Sequence, residues 1–404
     1  MYRIIPLIVF PLFLFSCNLK KEKTYDLDRT IKNENFINIK IDSLNEKKAL
    51  IISTIFKRVK LVPLETNENC LIGRINHVEF FDDTFYVLDK TRAKALFVFD
   101  LNGHFIRKIG RRGKGPGEYI TPSSFSIDMD NRQIYVLDNR RILIFTTNGT
   151  FINQIKVEER DSPLHIAVKD EFIYIDFLVL YGREDSYFLG ASNKSGKILK
   201  RWLPFSAYSH GFNQHFTTSE QLFTCLNDVK YARPLFDTIF CVQDQKISPY
   251  IVLTTNNKIT RQEVEDLNSI KDLKKLPVSY ALNKRFLGIS NYVESPDLVT
   301  FNFQNKGLTH KLFLWKKNNQ ITCTTARMID DLALKKVSPR FYSSGGNWFI
   351  SSIGSEFGEL DHLIENIKAN KFHLPEEEVA ALRKLTPESN PVIVLYECRE
   401  GVPF

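Results

Sequence analysis

The run Gly110-Arg111-Arg112-Gly113-Lys114-Gly115-Pro116-Gly117 combines glycine with cations, the composition of a loop that could cradle an anion. A phosphate loop ends in Gly-Lys-Ser/Thr at a helix start, where the lysine and a metal-binding hydroxyl reach the phosphates. That ending is missing, and apolar strand patterns flank the run, so it reads as a loop between strands. Arg111, Arg112 and Lys114 would form a weak anion-binding patch on it. Asp89 and Asp138 end two matching segments, Tyr86-Val87-Leu88-Asp89 and Tyr135-Val136-Leu137-Asp138. Equivalence within a repeat assigns both carboxylates to structure, accepting backbone N–H groups of the following turn.

The eight histidines form neither H-E-x-x-H nor a tight pair. His210 and His215 are clustered, but at a spacing that standard ligand sets do not use. His77 and His165 both open a first strand and are the pair that a metal gathered from separate repeats would use. Matching histidines in other repeats are missing, so no metal is expected. Asp128-Met129-Asp130-Asn131 resembles part of a calcium loop but lacks its glycine and distal glutamate, and reads as a hairpin turn. No G-x-S-x-G elbow occurs. No catalytic set and no cofactor site are assigned. Beyond Cys17 lie Cys70, Cys225, Cys241, Cys323 and Cys398, widely spaced and without C-x-x-C. They read as buried free thiols acting as small hydrophobes.

These residues sit on a repeat. Thr84–Asp89, Ala95–Asp100, Asn102-Gly103 and Phe105–Ile109 match Gln133–Asp138, Ile142–Phe145, Asn148-Gly149 and Phe151–Ile155. Each unit is strand, turn, strand, Asn-Gly turn, strand, preceded by a leading strand (75–81 and 125–129). Asn-Gly predicts a type I′ hairpin, in which both central residues take positive φ. Four antiparallel strands per 40–50 residues is the pattern of a propeller blade. A third unit spans 165–203, a fourth 221–253, a fifth 291–324, and a sixth 340–398. The leftover run 60–64 is expected to pair with 392–396 and close the ring, which removes open sheet edges. Helical insertions are expected in the later blades. One is the capping box Thr260/Glu263 with Val264, Leu267, Ile270 and Leu273. The others are the stripe Leu360, Leu363, Ile364, Ile367 and the start Pro375-Glu376-Glu377-Glu378. The fold class is therefore all-β, a six-bladed β-propeller of four-stranded antiparallel blades.

Composition agrees. The chain has 404 residues, 43% of them hydrophobic, with 32 Phe and 15 Tyr against 3 Met, a strand-rich balance. Its 55 basic and 47 acidic residues give a mild excess of +8, without the concentrated patch of a nucleic-acid binder.

Residues 1–17, MYRIIPLIVFPLFLFSC, place one arginine before an apolar run too short to span a membrane, a secretory signal. Its end, Leu14-Phe15-Ser16-Cys17, resembles a bacterial lipobox, in which Cys17 is acylated and becomes the first residue. Residues 18–35 read as a flexible tether and 36–404 as the propeller.

The series Tyr-Val-Leu-Asp, Phe-Val-Phe-Asp, Asn-Gly and Phe-Ile-Arg-Lys-Ile-Gly in 86–110 resembles NHL repeats. With Cys17, Val62-Pro63-Leu64-Glu65-Thr66, Cys70-Leu71-Ile72-Gly73, the Gly110–Tyr119 loop and Ser389-Asn390-Pro391-Val392-Ile393-Val394, the chain over about 35–400 resembles six-bladed propeller lipoproteins of Bacteroidota-type bacteria. That resemblance implies a cell-envelope lipoprotein of the outer membrane and ligand recognition on a propeller face. A few relatives of NHL propellers are metal-dependent lyases or hydrolases. The expected function is an anchored binding scaffold for an envelope protein, peptide or glycan. It would be monomeric and joined to the membrane through its lipid. The alternative is an envelope lyase or hydrolase acting on glycan or peptide at the central funnel. Converging His, Asp, Glu or Arg side chains there would favour the enzyme, and a small or plugged channel the scaffold.

Overall fold

The computed structural model describes residues 36–179, 185–205, 221–225, 228–234, 236–258, 260, 284–325, 328–372 and 374–399. Cys17 and the proposed tether, His210 and His215, and the 261–273 helix pattern lie outside the described residues.

Six antiparallel four-stranded blades follow one another along the chain. In blade one, His77–Phe81, Thr84–Asp89, Ala95–Asp100 and Phe105–Ile109 pair in chain order. Its two middle strands are buried almost throughout, and its last strand alternates. The cause is stacking: a blade's middle strands are covered on both faces by neighbouring blades, so they read as continuous apolar runs, while the rim strand keeps one wet face. Blades two (Pro122–Lys156) and three (Ser162–Pro204) repeat this. In blade four a short second strand, Val229–Tyr231, lies where the sequence pattern gave none.

Closure occurs as the sequence suggests. Phe56–Pro63 pairs antiparallel with Val392–Cys398 as the rim strand of blade six, Leu61 opposite Val394. The seam is packed by Phe56, Phe341, Phe349 and Tyr396, whose neighbouring ring centroids lie 5.4–5.6 Å apart. Before reaching it, the chain laces along the rim. Ile37–Lys40 adds a parallel strand to the edge of blade four, Glu46–Lys47 adds one to blade five, and Leu50–Ile51 pairs with Met328–Ile329. Two helices, α1 (Glu359–Lys368) and α2 (Glu376–Leu382), bury Leu360, Leu363, Ile367, Val379 and Leu382 against the seam core.

The Asn-Gly turns differ from the expected type. Gly103 and Gly149 have φ of 83° and 85°, but the asparagines before them do not take positive φ. Gly103 N–H donates to the Asp100 carbonyl at 3.0 Å and Gly149 N–H to that of Thr146 at 2.9 Å, with a register shift in each following pair. This is a type I turn followed by a left-handed glycine that makes a bulge. The same turn recurs at Asn193–Gly196 in blade three, where Gly196 has φ of 88°. Asp100 and Asn193 explain the choice: each side chain accepts the N–H two residues on, at 2.8 and 3.1 Å, which fixes a type I start.

Candidate functional site in the central funnel

The first strand of each blade lines the axis. On the side where first and second strands turn, a cavity of about 60 Å³ is bordered by His77, Glu79 and Phe80 of blade one, Leu222–Cys225 of blade four, Val293 and Glu294 of blade five, and Tyr342–Ser344 of blade six. A water molecule occupies about 30 Å³ of liquid, so this space suits one or two waters rather than a sugar or peptide. Short polar side chains stitch the first strands together. Ser343 Oγ donates to the Val78 carbonyl at 2.6 Å, Ser344 Oγ to the Glu294 carbonyl, and the Ile127 N–H to Glu79 Oε2 at 3.3 Å. Ile166 and Val168 donate their N–H groups to Ser124 and Ser126 at 3.2 and 2.9 Å.

One wall carries a buried charge network between blades four and five. Glu294 accepts from Lys316 Nζ at 2.6 Å, Tyr250 at 3.1 Å, the Cys225 thiol at 3.5 Å and the Tyr292 hydroxyl. Lys230 Nζ lies 3.8 Å from Glu294, 2.6 Å from Asp228 and 4.3 Å from the centre of the Tyr250 ring. The Cys241 thiol donates to Asp228 at 3.2 Å. Burial raises the Glu294 carboxyl, but Lys230, Lys316 and Tyr292 outweigh it and hold it below the usual carboxylate range. Burial lowers the Lys230 ammonium, and the charge on Glu294 with Asp228 lifts it above its ordinary value. Burial pushes the Cys225 thiol well up, and the Cys241 thiol to about 12. At neutral pH Glu294 is therefore ionised, Lys230 is an ammonium, and the Cys225 and Cys241 thiols keep their protons. A carboxylate surrounded by donors and held ionised makes a poor general acid and a weak base near pH 7. Nothing local in the sequence announces this network, because its members come from six strands or turns of two blades. Two of the five cysteines thus serve a polar cluster, while Cys70, Cys323 and Cys398 are buried free thiols as expected.

A second network joins blades three and four. Asp176, fully buried, accepts from Tyr231 at 2.8 Å and from Arg233, and its other oxygen lies 3.0 Å from His165 Nδ1. Arg233 also lies over the Phe188 ring, 4.5 Å from its centre. His77 lies 3.4 Å from Glu79. The structure thus gives His77 and His165 separate carboxylate partners, and among the described residues neither belongs to a metal-competent cluster.

The repeated aspartates are structural. Asp89 is fully buried and accepts N–H groups of Thr91 and Arg92 at 3.0 and 2.8 Å and of Gly73 and Arg74 at 2.8 and 3.1 Å. Burial raises its carboxyl, but these N–H groups together hold it below the usual range. Asp138 accepts from Ile120 and Thr121 at 3.2 and 2.8 Å and pairs with Arg141. Both therefore clasp the loop leading into their own blade, and only Asp89 also caps the turn after it. Asp128 caps the Asn131 turn at 3.1 Å, as a hairpin residue should.

In the Gly110–Tyr119 loop, Arg111 Nε donates to Glu118 at 2.7 Å and Gly115 N–H to the same carboxylate at 2.8 Å. The short strands Arg111–Arg112 and Glu118–Tyr119 pair in parallel. Tyr119 is buried and donates to the Ile109 carbonyl at 2.9 Å, anchoring the loop. Arg111, Arg112 and Lys114 stay exposed. Strand alternation puts this loop on the face opposite the first-to-second-strand turns. On that face a cleft of about 250 Å³ between blades six and one is bordered by Arg74, Lys335, Arg340, Tyr342, Glu356 and Phe357. Among the described residues Arg340 has no carboxylate at ion-pair distance, and Phe357 is 79% exposed.

Against known proteins, a family model described as a domain of unknown function, DUF4934, matches residues 35–397. The chain belongs to the DUF4934 family. No curated protein matches this DUF4934 chain. Among solved structures, it is similar to a protein from Bacteroides fragilis NCTC 9343 described as exported, with 16% identity and a TM-score of 0.69 over 91% of this chain and 100% of the other. A DUF4221-family member from Bacteroides vulgatus ATCC 8482 aligns at 10% identity and a TM-score of 0.49, over 86% and 98% of the two chains. The first of these likenesses agrees with the propeller fold. Among the described residues of the DUF4934 propeller, no helix is long and apolar enough to cross a membrane.

Proposed function

We propose that this DUF4934 protein is an outer-membrane lipoprotein of the cell envelope whose propeller binds a carboxylate-rich peptide or glycan on the face carrying the Gly110–Tyr119 loop. Residues 1–17 are the leader, Cys17 carries the lipid, 18–35 form the tether and 36–404 the monomeric binding unit. The observation that carries this reading is the cleft of about 250 Å³ between blades six and one, where Arg340 stands beside an aromatic wall without an ion pair among the described residues. Arg112 and Lys114 extend the positive surface on the same face, and Arg111 contributes the part of its guanidinium that Glu118 leaves open. The solved Bacteroides fragilis relative in fold is described as exported, which agrees with the leader.

The enzyme alternative draws less support. The funnel cavity is water-sized, and Glu294, a carboxylate on its wall, is saturated with donors. The test is calorimetric titration of full-length protein with hexaglutamate and with trigalacturonate. Binding of either should weaken at least tenfold in Arg340→Glu and fall with added salt. Equal binding of uncharged oligomers, or no effect of Arg340→Glu, would overturn the assignment.

A further inference from the structure

On the outer rim of blade five, Glu46, His310 and Cys323 meet, each offering a ligand atom within 4.8 Å of the other two. His310 stands on the strand Leu308–Trp315 and Cys323 on its neighbour Gln320–Thr324. Glu46 comes from the N-terminal lace, directly opposite Cys323 in the added parallel strand. No local spacing in the sequence could reveal this, because the three residues reach the rim by separate routes.

The imidazole is held in place before anything binds. Its ring lies flat on Phe303, centroids 4.6 Å apart and planes within 2°. Its Nε2 lies 3.2 Å from the Asn305 carbonyl, an acceptor only, so Nε2 carries a proton and donates. Nδ1 therefore faces the cluster. It is buried and has no aligned hydrogen-bond partner, although a Glu46 carboxylate oxygen lies 2.9 Å away. An imidazole lone pair and a carboxylate oxygen repel at that distance, and either a proton or a metal ion between them turns the repulsion into attraction. A histidine fixed through its second nitrogen by a backbone carbonyl is the usual posture of a metal ligand. Nitrogen, sulfur and oxygen donors together match a borderline-soft divalent ion.

We propose that Glu46, His310 and Cys323 bind one zinc-class divalent ion, with water in the fourth position. Cys323 binds as the thiolate and releases its proton to solvent as the metal–sulfur bond forms. Because Glu46 belongs to the lace, the ion fastens that segment to blade five and stabilises the folded ring by mass action.

The test is titration of chelator-treated, full-length protein with cobalt(II) chloride. The expected result is one equivalent per chain with a sulfur-to-cobalt charge-transfer absorption, displaced by zinc chloride, and a raised melting temperature. Cys323→Ser should lose the absorption, whereas Cys70→Ser, whose thiol only donates to the Glu65 carbonyl, should keep it. Glu46→Gln changes a rim side chain without opening the core and should weaken cobalt binding at least tenfold while folding as the parent does. No charge-transfer band in the parent would overturn the site and leave a histidine–carboxylate ion pair. The same spectrum in Cys323→Ser, or unchanged affinity in Glu46→Gln, would overturn it equally.

Discussion

Leu61 stands opposite Val394 in the rim sheet of blade six, so two segments from opposite ends of the chain share one ladder. Both are buried, Leu61 at 3% exposure and Val394 at zero, within the cluster that also contains Phe56 and Tyr396. Leu61→Ala should therefore cost about 2–5 kcal/mol, as buried leucine truncations do. Deleting the chain from Pro391 onwards removes the partner strand altogether and should abolish cooperative unfolding. Thermal melts of both variants check this, and an unchanged melting temperature for the deletion would sink the closure argument.

Asp89 should show itself in acid. Its folded carboxyl is held below the usual range, so its contribution is fully present above the unfolded value near 4 and is lost as pH falls through the lower folded value. Asp89→Ala should lose about 1–3 kcal/mol at pH 7, because four backbone donors lose their acceptor. In Asp89→Asn the acid limb of the stability curve should flatten. Urea titrations between pH 2 and pH 7 measure both.

Lys311 is buried on blade five with, among the described residues, one hydrogen bond, to the Pro339 carbonyl at 3.3 Å, and the Phe341 ring 4.6 Å away. Burial, aided by the nearby Arg340 charge, lowers its ammonium to about 7. The unfolded chain therefore holds an extra proton between pH 7 and about 10.4, and stability should rise with pH across that window. Below pH 7 the cost is fully present. Lys311→Met should stabilise the protein by roughly 2–4 kcal/mol at pH 6 and remove the slope. Denaturant melts at pH 6, 8 and 10 give the answer, and a destabilised Lys311→Met would show that the ammonium has a partner in solution.

Glu294→Gln should be among the most damaging single changes in the funnel. It removes the carboxylate that buried Lys230 shares with exposed Lys316, but Lys230 keeps Asp228, so the loss should be about 1–3 kcal/mol. Replacing Lys230 by Met in the same chain should recover part of that loss. With Lys230→Met measured alone to complete the cycle, losses that simply add would mean the two groups do not interact.

Cys17→Ala should release the protein from membranes and abolish incorporation of labelled fatty acid. Retention on membranes after a salt wash would refute the lipid anchor.

Blades one to three were legible because their strands announce themselves twice, by apolar runs and by glycine turns at fixed offsets. The closing strand was legible because Lys60–Leu64 had no other partner. Val229–Tyr231 was missed because three residues centred on a lysine carry no apolar period, and its Lys230 is buried only through Asp228 and Glu294. The lace was missed because Ile37–Lys40 and Glu46–Lys47 are short and add to finished blades in parallel, without a hairpin to mark them. The turn type was missed because Asn-Gly fits two geometries, and at Asn102-Gly103 it is Asp100, outside the dipeptide, that chooses between them. Among the described residues, doublets that do take positive φ at both positions are Asp82-Asp83, Asp244-Gln245, Lys306-Gly307 and Phe357-Gly358, and only the last two contain glycine. The polar clusters were illegible for one reason: Glu294 with Lys230, and Glu46 with His310, are neighbours only after the chain has folded.

The lace also sets how the molecule would bear a mechanical load. A pull applied at Phe36 meets the Ile37–Lys40 ladder on blade four first, then Glu46–Lys47 on blade five, then Leu50–Ile51, and only afterwards the Phe56–Pro63 strand that locks the circle. Tension is taken up in series by these attachments before it reaches the strand that closes the circle. A protein tugged through its N-terminal end would lengthen in steps while its six blades stayed joined.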